Sequence, residues 1–400
     1  MGDYNDYGDI LAPDTREYED LLCDEVEGNS DYGNNAQHRF YPICLGELLN
    51  KHYRVEHRLG RGGSSTVWMA YDLKSEKYVA LKVMIEEHGE YEYHMQKVIC
   101  DTVKDTSHLL TYIDAFILSG DGKNHRVLVF PLLGPCHAWY NVKEKSMATR
   151  MSAARQLLQA LESLHDSDIV HQDLNAGNCM WGMTSLDHLG RNAIYKLLGR
   201  PQKAVIAIDD GEIWKPGELV KSVEIPPSLR TDAFYLGDFG LAMKLGAPAV
   251  EGQPPRPNGR PPARYCSPDR LFNKSPSKAC DMWSYMCLFA ELYCGQPLFI
   301  PLDGGVVSSM VDRLGPLPEE YKSHFCDPMN ERDEWFTKIP NPEDGIAAKV
   351  RRLAPNASTQ ELKHVLSIMR KCFDYNPDKR PTATQLLRDP SFQAIMDIHC

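Results

Sequence analysis

The chain has 400 residues, 42% hydrophobic and 25% charged, with a formal net charge of −11 at neutral pH. That length supports one large domain or two lobes with a sizeable buried core. The acidic balance argues against general binding to nucleic acid or to an anionic membrane, both of which call for a basic surface.

The charge is unevenly placed. Residues 1–36 hold eleven Asp and Glu against one basic residue, Arg16, so they carry −10 while the rest of the chain carries −1. The segment reads as an acidic disordered tail. The start "MGDYNDYGDI" lacks a basic and then an apolar region, and the twelve cysteines form no C-x-x-C pair. Both point to a reducing intracellular compartment, cytoplasm or nucleus. Cys280, Cys287 and Cys294 recur every seven residues, as one buried stripe of a helix would place them. The apolar run "MWSYMCLFAELYC" is preceded by Asp281 and contains Glu291, which makes it a buried helix and not a membrane span.

Residues 37–134 read as a small β-rich lobe. In "YRVEHRLGRGGSSTVWMAYDLKSEKYVALKVM", Val67 and Met69 alternate with Trp68, and Val79, Leu81 and Val83 alternate with Ala80 and Lys82. That period of two predicts antiparallel strands joined by a glycine turn and a hydrophilic turn. A helix "EYEYHMQKVICDTV" follows, then a buried strand "RVLVFPLLG". Residues 135–400 turn helical. Met151, Ala154, Leu157, Leu158, Leu161 and Leu164 share one face, as do Leu362, Val365, Leu366, Met369 and Phe373. The fold class expected is α+β and bilobal, with a nucleotide cleft between the lobes. "GAPAVEGQPPRPNGRPPA", residues 246–263, is a Pro/Gly loop.

Four motifs carry chemistry. "LGRGGSSTV" places Leu59, Gly60, Arg61, Gly62, Gly63, Ser64, Ser65 and Val67 in a flap over a nucleotide, with glycines that let backbone approach phosphates. A strand follows it, which excludes a dinucleotide-binding βα turn. "VALK" puts Lys82 on a strand, where a central Lys needs a partner. Glu92 in the next helix is the first choice and Glu90 the second; a Lys so held clamps α- and β-phosphates. "HQDLNAGN" supplies Asp173 as the base and Asn178 as a ligand for Mg²⁺, and "GDFG" supplies Asp238 for the same metal. Adenine is expected between Val67 and Ala80, reaching backbone near Pro131 and Leu133, with Phe130 at the back.

In this order the motifs resemble those of the protein-kinase superfamily over residues 50–395. "YCSPD" looks like its A-P-E motif, with Asp269 for Glu and Arg380 as the implied partner. "CDMWSYMCLFAELYCGQPLF" and "NPDKRPTATQLLRDPSF" look like its later helices. "YPICLGELLNKHYRVEHRLGRGGSSTVWMAYD" is similar to the SR-protein kinases and their fungal relatives, which also carry an insertion before D-F-G; here it spans about 182–232. "AVIAIDDGEIW" within it reads as a hairpin. "LGPLPEEY" resembles the segment after the insert of CMGC-type kinases.

The resemblance implies an ATP- and Mg²⁺-dependent serine/threonine protein kinase acting on basic Arg/Ser-rich proteins, and a monomer. Glu319, Glu320, Asp327, Glu331, Asp333 and Glu334 are the carboxylates proposed to hold such a substrate, with a solvated helix face as the plain alternative. The sequence also departs from the family. Gln172 replaces the usual Arg, and residues 241–264 contain no Ser, Thr or Tyr, so activity without loop phosphorylation is expected. Asn175 replaces a Lys that neutralises the γ-phosphate, a loss of order ~10²-fold by analogy with one oxyanion donor. Cys266 stands where an Arg is usual. A pseudokinase scaffold and a small-molecule phosphotransferase, whose loops read "HxDLNxGN", are the alternatives.

Overall fold

The computed structural model describes residues 7–13, 15–19, 21, 40–86, 88–120, 122–205, 214–246, 257–300, 305–322, 335–337 and 339–400. The chain divides into two compact units. The first comprises Met1–Gln96, Leu110–Pro135 and Gly182–Thr231, and the second Lys97–Leu109, Cys136–Trp181 and Asp232–Cys400.

The first unit is built on strands β1 (Asp9–Ile10), β2 (Leu48–Leu49), β3 (Tyr53–Arg61), β4 (Ser65–Asp72), β5 (Lys77–Met84), β6 (Asp114–Gly120) and β7 (Lys123–Pro131). Six of them form one antiparallel sheet in the order β2-β3-β4-β5-β7-β6. The alternation in the sequence sorts side chains between its faces. Val55, Trp68, Ala70, Val79, Leu81, Val83, Val127 and Val129 pack on one side with Ile43, Leu45 and Leu49. Ala80, Leu128 and Phe130 pack on the other. At the turn after β4, the Asp72 carboxylate accepts from the Lys74 and Ser75 amides and meets His52 at 2.7 Å.

Two expectations about the first unit are corrected. The insertion was placed with the helical lobe, yet Gly182–Thr231 belongs to the β-rich unit. Its helix Arg191–Leu198 buries Ile194, which clusters with Leu186, Met69 and Tyr78. Strand Glu218–Val220 pairs antiparallel with Gln202–Val205; most of the expected hairpin, residues 206–213, lies outside the described residues. The Val220 carbonyl accepts from Arg58, and the Val223 amide donates to the Arg58 carbonyl. The second correction concerns the tail. β1 adds in parallel to Gln202–Val205. Tyr7 is buried, its hydroxyl accepts from Arg191 at 2.7 Å, and the guanidinium lies 4.1 Å from its ring centroid. These contacts hold residues whose composition is that of a solvated tail, while residues 1–6 and 22–36 lie outside the described residues.

The second unit is mainly helical. The predicted face of helix Met147–Asp166 is buried, and Ser146 caps its start by accepting from the Thr149 amide. Leu362, Val365 and Met369 are buried along helix Thr359–Cys372. In helix Lys278–Cys294 every residue from Cys280 to Cys294 is buried. The three cysteines are buried along this helix, as expected, and the residues between them are buried too. No helix among the described residues is long and apolar enough to cross a membrane.

Candidate active site

The flap lies where β3 passes into β4. The Gly62 amide donates to the Ser65 carbonyl at 2.8 Å and closes the turn. Gly62 and Gly63 are exposed and Ser65 is buried. A Cβ added at Gly60, Gly62 or Gly63 would meet nothing within 4 Å, and none of the three has a positive φ. Neither packing nor backbone strain within the chain asks for glycine here. Arg61 lies over the Phe40 ring at 4.3 Å. Ser64 accepts through its carbonyl from the Ile85 amide. Leu59 and Val67 pack beside Ala80, Leu128 and Phe130. Pro131 ends β7, and Leu133 follows, half-buried.

Lys82 Nζ lies 3.0 and 2.8 Å from the two carboxylate oxygens of Glu92, which is 3% exposed. Glu90, the second choice, pairs with Arg126 instead. A residue missed by the sequence analysis orients this pair. Gln96 donates to Glu92 at 3.1 Å and accepts from the Tyr112 amide at 2.8 Å. Its signal in the sequence is an amide side chain four residues beyond Glu92, on the same helix face; its full burial is decided by the fold.

In the second unit the catalytic-loop residues are held from below by Asp281. Its carboxylate accepts the His171 amide at 2.8 Å and the Gln172 amide at 3.0 Å, and meets His165 Nε2 at 3.0 Å. These bonds support Gln172 at φ +68, while Asp238 sits at φ +61. Non-glycine residues in that region cost ~1–3 kcal/mol each and persist where the surroundings impose them. Asp173 Oδ1 lies 3.1 Å from Asn175 Nδ2, and Oδ2 lies 2.9 Å from Asn178 Nδ2. Burial pushes the Asp173 carboxyl above its ordinary range and the Asp238 charge adds to this, against the pull of His171 and Asn178. Asn178 commits its amide nitrogen to Asp173, which leaves its carbonyl oxygen as the end suited to a cation. Asp238 is exposed.

The loop that follows departs from the family pattern in ways the structure resolves. Gln172 Nε2 donates to the Leu241 carbonyl at 2.8 Å, so a neutral amide makes the tie. Asp269 pairs with Arg380 at 2.6 Å, as the resemblance implied, and also accepts from the Cys280 thiol at 2.9 Å. Cys266 is fully buried, its thiol pushed up to about 12 by burial. Of the acidic segment, Glu320 pairs with Lys274 at 3.1 Å. Asp327, Glu331, Asp333 and Glu334 lie outside the described residues.

The protein kinase domain model matches residues 53–189 and 227–392, breaking within the insertion. The chain belongs to the protein kinase family. This kinase is 24% identical to serine/threonine-protein kinase SRPK of Physarum polycephalum over 93% of its own length and 92% of the relative's. It is 26% identical to serine/threonine-protein kinase AFC1 of Arabidopsis thaliana, over 92% and 76% respectively. SRSF protein kinase 3 of Sus scrofa is 30% identical over 43% of this chain and 33% of that protein. A crystal structure of a kinase domain shares the fold, with a TM-score of 0.57 at 19% identity, covering 89% of this chain and 99% of the other. The protein is thus a serine/threonine-type protein kinase resembling the SR-protein kinases, with the bilobal α+β fold of that family.

Proposed function

We propose that this kinase is catalytically competent and transfers the γ-phosphate of ATP, with Mg²⁺, to Ser or Thr hydroxyls in Arg/Ser-rich proteins. The observation that carries the nucleotide reading is the flap. Gly60, Gly62 and Gly63 face open space and need no special φ, so what requires glycine is a ligand approaching the backbone. Leu59, Arg61, Ser64, Ser65 and Val67 complete the flap, and Ala80, Pro131 and Leu133 take the base. Lys82, held by Glu92, meets the phosphates as a fixed cation.

The Asn178 carbonyl and the Asp238 carboxylate are a hard oxygen donor set that fits Mg²⁺. Bound there, the metal neutralises phosphate charge. Asp173 orients the attacking hydroxyl and accepts its proton, and its partial burial keeps it a stronger base than an exposed carboxylate. Lys82, Asp173, Asn178 and Asp238 are all present, which favours an enzyme over a scaffold. The substrate class rests on the similarity to SR-protein kinases.

A radiolabelled ATP assay on an Arg/Ser-repeat peptide tests the reading. Lys82→Met is expected to abolish transfer. Asp173→Asn should cut turnover while ATP binding persists, and Asp238→Ala should weaken Mg²⁺-dependent nucleotide binding. Unaltered rates in these variants would sink the assignment. The Michaelis constant for the repeat peptide should rise steeply with salt, as screening sets in near ~10 Å at 0.1 M. A control peptide free of Lys and Arg should not respond; equal behaviour of the two would remove the Arg/Ser assignment and leave the kinase.

A further inference from the structure

We propose that Asn175 is a positioning residue that fixes the plane of the Asp173 carboxylate, a task its amide nitrogen performs where the family resemblance expects a Lys. The inference rests on the reading of Asp173 as the base.

Asn175 has two separable jobs. Its side-chain oxygen accepts from the Gly177 amide at 2.8 Å and so caps the short turn Ala176–Asn178. That is ordinary cap chemistry, which Ser, Thr or Asp performs about as well. Its side-chain nitrogen does something the cap does not need. It donates to the Asp173 carbonyl at 3.0 Å and to Asp173 Oδ1 at 3.1 Å. Asn178 meanwhile donates to Oδ2 at 2.9 Å. Each oxygen of the carboxylate is therefore held by a different amide.

The geometry gives this arrangement a purpose. A carboxylate held at one oxygen still turns about its terminal bond, whose torsional well is broad. Held at both, it has one plane, and the remaining lone pair of each oxygen points in a set direction. A base must meet its proton within hydrogen-bond reach, so a fixed plane is part of its competence. Donors to a charged acceptor form the stronger class of hydrogen bond. Both amides are neutral, so the plane of the carboxylate is set without a charged donor.

Four variants separate the donor from the cap. Asn175→Ser keeps a capping oxygen and loses the amide donor. It should lower kcat about tenfold to a hundredfold, the range for one hydrogen bond to a charged group, while the KM for ATP stays within error and the melting temperature falls less than in the Ala variant. Asn175→Ala loses both jobs, and should show the same fall in kcat together with a lower melting temperature. Asn175→Gln returns a neutral amide donor on a longer arm, without the charge a Lys would bring to the γ-phosphate, and should recover at least part of the kcat lost in the Ser variant. Asp173→Asn serves as the control. If it collapses turnover while Asn175→Ser keeps a kcat within twofold of wild type, the positioning role is wrong and the base assignment stands. If Asp173→Asn turns over normally, the base assignment itself is wrong. A fall in the Ser variant that Gln does not reverse at all, or one that appears in KM and not in kcat, also overturns the proposal.

Discussion

Asp269 occupies the place where the family's A-P-E motif has the longer Glu, and restoring Glu is expected to harm the protein. The site has already been refilled around the shorter acid. Asp269 Oδ1 lies 2.6 Å from the buried Arg380 guanidinium, and Oδ2 lies 2.9 Å from Cys280 Sγ. Burial and the Asp269 charge push the Cys280 thiol up to about 11, so it remains a protonated donor. A Glu side chain adds one carbon–carbon bond of ~1.5 Å, more than contacts of this length can yield. Overpacking of a buried site costs ~1–3 kcal/mol, and Asp269→Glu should cost that much. Cys280→Ala alone removes one hydrogen bond to a charge, about 1 kcal/mol for a weak thiol donor. Together the two changes should cost less than their sum by roughly 1–2 kcal/mol, because the space left by the thiol accepts the longer acid. Urea unfolding followed by circular dichroism gives the energies. Amide exchange over residues 278–294 reports the second unit alone, since a chain of two units need not unfold in one step. Additivity within ~0.5 kcal/mol would refute the compensation argument.

Glu291 is 1% exposed and is pushed up to about 7 by burial, against the bond from Tyr265. The native state then holds the proton that the unfolded chain releases between pH ~4.5 and 7, so this residue's contribution to stability falls as pH rises through that window. Glu291→Gln should raise stability at pH 8 by up to about 3 kcal/mol and leave it unchanged near pH 4, read as melting temperature across pH. The Gln172 side chain ties the following loop through the Leu241 carbonyl, and no Ser, Thr or Tyr lies in residues 241–264. Phosphatase-treated enzyme should keep its rate while Gln172→Ala lowers it; a large drop after phosphatase treatment would refute this. Tyr7→Ala should destabilise the first unit by ~2–4 kcal/mol through lost burial and the Arg191 contact, and Tyr7→Phe by ~1 kcal/mol, measured by amide exchange over β3.

Much of this kinase was legible from residue order. The alternation around Lys82, the Asp173–Asn178 spacing and the Asp238 motif are local signals, because period-two burial and loop chemistry act between near neighbours. The Lys82–Glu92 pair followed as well, since a central Lys demands a partner, whereas the Asp269–Arg380 pair was implied by the family resemblance. Three features were decided only in three dimensions. The insertion packs on the β-rich unit, because the apolar face of helix Arg191–Leu198 meets Met69 and Tyr78, far away in sequence. Tyr7 and β1 escape the solvated state their acidic neighbours imply, because strand Gln202–Val205 offers an edge and Arg191 a cation. Gln172, Asn175 and Cys280 read in the sequence as losses of charge or as plain burial. In the fold they are donors whose acceptors are Leu241, Asp173 and Asp269. A sequence lists donors and acceptors, and only packing decides which of them meet at hydrogen-bond distance.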